Sequence, residues 1–107
     1  MAYPNKAIWI DTPAGLSRLV EHLKSEPQVA VDTESNSLFA YQEQVCLIQF
    51  STSKGDYLVD PLAIEDMSPL GEIFADPQIE KIFHAAEYDV ICLKRDFGFK
   101  FKKLIII

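Results

Sequence analysis

After Pro4, proline stands at positions 13, 27, 61, 69 and 77, and a helix or strand that meets one of these residues must begin or end there. Proline has no amide hydrogen, and its ring crowds the preceding turn of a helix. The elements are therefore short, and their limits can be read directly. Thr12-Pro13 has the form of a helix start, a capping hydroxyl followed by a residue tolerated in the first turn. Leu16, Leu19, Val20 and Leu23 follow at i, i+3, i+4 and i+7, which predicts an amphipathic helix closed by Pro27. Ser68-Pro69 repeats the device before Leu70, Ile73 and Phe74, and Asp76-Pro77 ends that shorter helix. A third helix is expected from about Ala86, with Val90, Leu93 and Phe97 at helical spacing and Gly98 placed to stop it.

Between these helices lie short apolar runs. Residues 7–10 read as an edge strand, and residues 29–34 alternate with period two, β-branched on one side. Residues 45–51 and 56–59 are joined through Thr52-Ser53-Lys54-Gly55 as a hairpin, and residues 79–84 form a further strand. The order β-α-β-β-β-α-β-α predicts an α/β fold with a mixed sheet. A chain of 107 residues with 49% hydrophobic content forms one domain, residues 1–107, with an ample core. The end of the sequence is unusual. Lys102-Lys103 leads into four apolar residues, 104–107, which are either a last strand of the sheet or a sign that the chain stops inside a larger domain. Left unpaired, this tail should seek burial against a neighbouring copy or a sheet edge.

Charge narrows the function. Ten basic against 16 acidic residues give a net charge of −6, so a long basic groove that binds nucleic acid by counterion release alone is not expected. Clustered carboxylates can still recruit divalent metal, and the metal can meet phosphate. Cys46 and Cys92 stand alone in apolar runs without zinc-ligand spacing, as buried thiols of a reducing compartment do. The first residues lack the apolar core of a signal peptide, and no stretch is long enough to span a bilayer. A cytoplasmic protein with no membrane partner is expected.

Along residues 29–34, Val29, Val31 and Thr33 share one face and Ala30, Asp32 and Glu34 the other. Asp32 and Glu34 thus point the same way, about 6.5–7 Å apart on a strand that rises ~3.3 Å per residue. Two buried like charges require a cation between them, and oxygen-only ligation favours magnesium or manganese. The alternative is a strand end emerging into water, where acids cost little. A second cluster, His84-Ala85-Ala86-Glu87-Tyr88-Asp89, falls where a strand hands over to a helix. Asp89 lies in that helix's first turn, where negative charge is favoured in any case. His84 taken alone is a polar strand terminator.

Together these segments resemble the ribonuclease D type of the DEDD 3′–5′ exonucleases, in the wider DnaQ-like superfamily. VDTE at residues 31–34 matches the first exonuclease motif, and the Asp of HAAEYD matches the second. The CLIQ and YLVDPL runs between them match the family's sheet strands, and the likeness extends from about Ile8 to Phe101. The resemblance implies a ribonuclease H-like mixed β-sheet flanked by helices. It also implies two divalent ions, magnesium or manganese, and hydrolysis of terminal phosphodiesters from a single-stranded 3′ end with release of nucleoside monophosphates. Asp32, Glu34 and Asp89 would be the catalytic metal ligands. Thr33, Leu38 and His84 would meet the terminal nucleotide. RNA is the expected substrate by closeness to the ribonuclease D branch, although DNA exonucleases of the superfamily use the same acids.

The family's third motif, a Tyr or His four residues before a final Asp, has no counterpart in these 107 residues. The chain therefore reads as the N-terminal part of the catalytic domain, apparently truncated. Weak metal binding and little turnover are expected, unless another acid such as Asp96 or Glu87 substitutes. A catalytically inactive nucleic-acid-binding module that retains part of the site is the rival reading, and a plain self-associating fragment the third. Convergence of Asp32, Glu34 and Asp89 on one patch, and antiparallel pairing of the hairpin strands beside residues 29–34, are the structural expectations.

Overall fold

The structure, a computed structural model, describes residues 7–36 and 43–107. Its elements in chain order are β1 (Ile8–Ile10), α1 (Pro13–Leu23), β2 (Gln28–Asn36), β3 (Gln44–Thr52) and β4 (Gly55–Val59). They continue with α2 (Ser68–Phe74), β5 (Glu80–Phe83), α3 (Glu87–Phe97) and β6 (Leu104–Ile106). The strands form one mixed sheet in the order β1-β4-β3-β2-β5-β6. As expected, the hairpin strands β3 and β4 pair antiparallel with each other; of the two only β3 adjoins β2, also antiparallel, while β4 lies one strand farther out. The other three pairings, β1 with β4 and β5 with β2 and β6, are parallel. The apolar tail is thus a sixth strand at the sheet edge beside β5, the first of the two explanations its sequence left open.

Local sequence accounts for most element limits. Thr12 caps α1 by accepting the Gly15 amide at 3.0 Å, and Leu16, Leu19, Val20 and Leu23 are buried. The start of α2 differs from expectation. Ser68 lies within the first turn and the N-cap residue is Met67, which offers no capping side chain; just ahead of it Asp66 Oδ1 accepts the Ser68 amide at 3.0 Å. An aspartate can reach forward to that amide, which removes the need for the serine hydroxyl. Gly98 ends α3 in the left-handed conformation, φ 69°, and its amide returns to the Lys94 carbonyl at 2.9 Å.

The buried residues of all three helices join Val29, Val31, Ile48, Phe50, Val59 and Phe83 in one core on one face of the sheet. Ala30, Asp32, Gln49, Ser51, Ile82 and His84 line an open cavity of about 270 Å³ on the other face. One irregularity interrupts the central pair. The β2–β3 register shifts between Glu34 and Ser35, pairing Glu34 with Leu47 but Ser35 with Val45, so Cys46 is an extra residue. This bulge explains why Val45 and Ile48, three residues apart, both face the core.

Candidate metal centre

Asp32 and Glu34 lie on the exposed side of β2, toward its C-terminal end. Strand β5 stops at Phe83, opposite Val31, so beyond that pair β2 loses its parallel neighbour. There the Thr33 amide is taken by two carboxylates instead. It donates to Asp32 Oδ1 at 3.0 Å and to Asp89 Oδ2 at 3.3 Å. The two acids come from distant parts of the chain, yet their oxygens can be no farther apart than these two bonds laid end to end.

A tight connection delivers Asp89. Between β5 and α3, Ala85 adopts φ 48°, a left-handed conformation that non-glycine residues seldom accept. The Ala85 amide donates to the Ile107 carbonyl at 2.7 Å, and the Ile107 amide to the Phe83 carbonyl at 2.8 Å. The turn is thereby tied to the end of the sheet, and the first turn of α3 lies against β2. Asp89 is half-buried there. Burial pushes its carboxyl above the usual aspartate range, and the neighbouring Asp32 charge adds to this, against the opposing Thr33 hydrogen bond. Two acids crowded together, one of them resisting ionisation, are a donor set that a cation would relieve.

Glu34 stands apart from this pair. It is exposed, next to the bulge, and among the described residues no three His, Cys, Asp or Glu side chains gather at metal-ligating distance. Like-charged carboxylates spread from one another, and an exposed glutamate is free to extend into water. His84 is exposed just past the end of β5, on the cavity that Asp32 also lines. Thr33 contributes its amide, while Leu38 lies outside the described residues. The two acids considered as substitutes do not join the pair. Glu87 is exposed at the first position of α3. Asp96 is engaged elsewhere, Oδ2 accepting the Val45 amide at 2.7 Å and Oδ1 the Arg95 Nε at 2.6 Å. The oxygen-only character of Asp32, Glu34 and Asp89 fits magnesium or manganese, and their position at the carboxyl ends of β2 and β5 is where open α/β sheets bind ligands.

A family model described as 3′-5′ exonuclease matches residues 7–107. The chain belongs to the 3′-5′ exonuclease family. It is 45% identical over 92 residues to the exosome complex exonuclease RRP6 of Saccharomyces cerevisiae, a match covering 85% of this chain and 13% of that relative. The exonuclease fold is shared with the catalytic core of RRP6 from Trypanosoma brucei, with a TM-score of 0.90 and 36% identity over 96% of this chain and 29% of that one. It is shared equally with Escherichia coli RNase D, an exoribonuclease involved in structured RNA processing. That TM-score is 0.87, with 35% identity over 95% of this chain and 27% of the other. Trypanosoma brucei RNase D, solved in complex with RNA U12, has the same fold, with a TM-score of 0.79 and 22% identity over 92% of this chain and 37% of that one. The chain spans well under half the length of each of these proteins. Among its described residues, no helix is long and apolar enough to cross a membrane.

Proposed function

We propose that residues 1–107 carry the metal-binding part of a 3′–5′ exonuclease domain that acts on the 3′ end of single-stranded RNA and releases nucleoside monophosphates. The observation that carries this reading is the joint hold of Asp32 and Asp89 on the Thr33 amide. Asp32, Glu34 and Asp89 would hold two magnesium or manganese ions. When bound, such ions supply positive charge to the attacking and leaving oxygens of a phosphodiester. The chain's own residues do the rest. The Thr33 amide fixes the directions of two carboxylates, and the open cavity lined by Ala30, Gln49, Ile82 and His84 lies beside Asp32 to receive the terminal nucleoside. His84, exposed at its rim, is placed to meet that nucleotide, with Thr33 and Leu38 as further contacts.

RNA rather than DNA is supported by the similarity to Escherichia coli RNase D, an exoribonuclease involved in structured RNA processing. A chain of net charge −6 must hold a polyanion largely through its ions, so binding should vanish on chelation. Free Cys46 and Cys92 support a reducing, cytoplasmic setting. A second copy of the chain is a further partner, through the β6 edge.

A 3′-labelled single-stranded RNA with magnesium or manganese tests the reading. The expected result is metal-dependent RNA binding, abolished by EDTA and by Asp32→Ala, with little trimming, since the third family motif is not among these residues. Orienting groups of that kind commonly contribute orders of magnitude in rate. RNA binding that survives both EDTA and Asp32→Ala would overturn the proposal in favour of a metal-independent binding module.

A further inference from the structure

We propose that Asp96 is a positioning residue for this centre. It fixes the pitch of α3 and the bulge in β3, and with them the points at which Asp89 leaves the helix and Glu34 leaves the strand. The inference rests on the metal reading above and extends it to a residue that touches neither ion nor substrate.

Asp89 and Asp96 are seven residues apart on α3, about two turns and ~10 Å along the axis, so they share one side of the helix. Each takes a backbone amide from a different strand. Asp89 Oδ2 accepts from Thr33 of β2 at 3.3 Å, and Asp96 Oδ2 from Val45 of β3 at 2.7 Å. A helix held at one point can pivot, whereas one held at both ends of a face cannot. The shorter bond is the remote one, and the longer is at the site. Asp96 therefore anchors, and Asp89 is delivered.

The Val45 amide is not an arbitrary strand amide. It flanks the extra residue Cys46, where the β2–β3 ladder changes register, and the last residue paired before that change is Glu34. A bulge leaves ladder groups without strand partners and re-aims the side chains beside it. By taking the Val45 amide, Asp96 stabilises the geometry that determines where Glu34 leaves the strand. A second tie reinforces the first. Asp96 Oδ1 accepts from Arg95 Nε at 2.6 Å, Arg95 Nη1 reaches Glu43 Oε1 at 3.5 Å, and the Tyr88 hydroxyl donates to the same Glu43 oxygen. The helix is thus bound to both residues that flank Gln44 at the start of β3. With one oxygen given to Val45 and the other to Arg95, Asp96 itself is no ligand. Burial works to raise its pKa, but the Arg95 and Val45 hydrogen bonds outweigh this and keep it low, so the acceptor stays ionised.

The test titrates manganese into the 107-residue chain and its Asp96→Ala and Asp96→Asn variants, and records amide hydrogen exchange at Thr33, Val45 and Leu19. Asp96→Ala should weaken manganese binding by about tenfold or more, the usual effect of losing a group that orients a ligand. Exchange should accelerate at Thr33 as well as Val45, with Leu19 in α1 unchanged. Asp96→Asn, which retains an acceptor oxygen, should remain within about threefold of the parent. Should Asp96→Ala fail to fold, Asp96→Leu replaces it, near in volume and without an acceptor. Manganese affinity within twofold of the parent in the acceptor-free variant would overturn the proposal, as would an equal loss in Asp96→Asn. If the parent chain binds no manganese, the metal reading fails by itself. Thr33 exchange then decides the role of Asp96, and an unchanged rate in Asp96→Ala refutes it.

Discussion

Lys81 sits in the middle of β5 with 0% of its surface exposed, and its Nζ donates to the Asp76 carbonyl at 2.6 Å. Burial lowers its pKa from the ordinary lysine value, Asp76 opposing and Lys103 adding to the fall. Below the folded value both states hold the proton, and the full cost of burying the charge is present. As pH rises toward the ordinary value, the unfolded chain binds more protons than the folded one, so stability increases. Lys81→Met should accordingly be more stable than the parent at pH 7, by about 1 kcal/mol. Urea denaturation at pH 7 and pH 10 checks this, because the advantage should shrink at the higher pH; a constant gap contradicts it. Period two puts Lys81 on the face of Ile79 and Phe83, but a lysine is an unexpected residue there, and Glu80 and Ile82 leave the core face of β5 undecided in the sequence. Its face is decided by pairing with Val29, a contact between strands far apart in sequence. Asp32 and Asp89 were the reverse case, legible as motif residues, though their shared amide was not.

At the level of elements, punctuation did most of the work. Thr12-Pro13, Asp60-Pro61 and Gly98 each sit where an element begins or stops, because each constrains the backbone locally. Gly98 offers a direct measurement. A Cβ there would meet nothing within 4 Å, so only the left-handed backbone opposes a side chain. Gly98→Ala should destabilise the chain by about 1 kcal/mol, with Gly98→Asn recovering part of the loss, read from thermal melts. A neutral alanine would show that α3 unwinds its last turn freely. The features that the sequence left open or did not show depend on remote partners. The strand at Leu104–Ile106 needs the exposed edge of β5, and the bulge at Cys46 needs Asp96 from α3 to occupy the Val45 amide.

Among the described residues, one face of the sheet is open and β6 is an edge strand paired only with β5. Leu104 and Ile106 turn toward the core, while Ile105 remains 38% exposed on the open side. Unpaired strand edges with apolar faces invite another strand, and Leu104–Ile107 itself carries no charged side chain to discourage one. Sedimentation velocity should show concentration-dependent dimerisation, shifted toward monomer by Ile105→Lys. A parent chain that remains monomeric at high concentration removes the self-association reading.

Sequence alone determined what short-range physics controls. Prolines and caps bounded the helices, alternation put Asp32 and Glu34 on one face, and the matched motifs identified the exonuclease family. Tertiary structure decided what depends on meeting across the chain. It turned the apolar tail into a strand and joined Asp89 to Asp32 on one amide. It also drew Asp96 away from the centre to secure the bulge. Local propensity extends only a few residues along the backbone, whereas a lone amide at the end of a strand is satisfied by whichever side chain the packed helix brings within hydrogen-bonding distance.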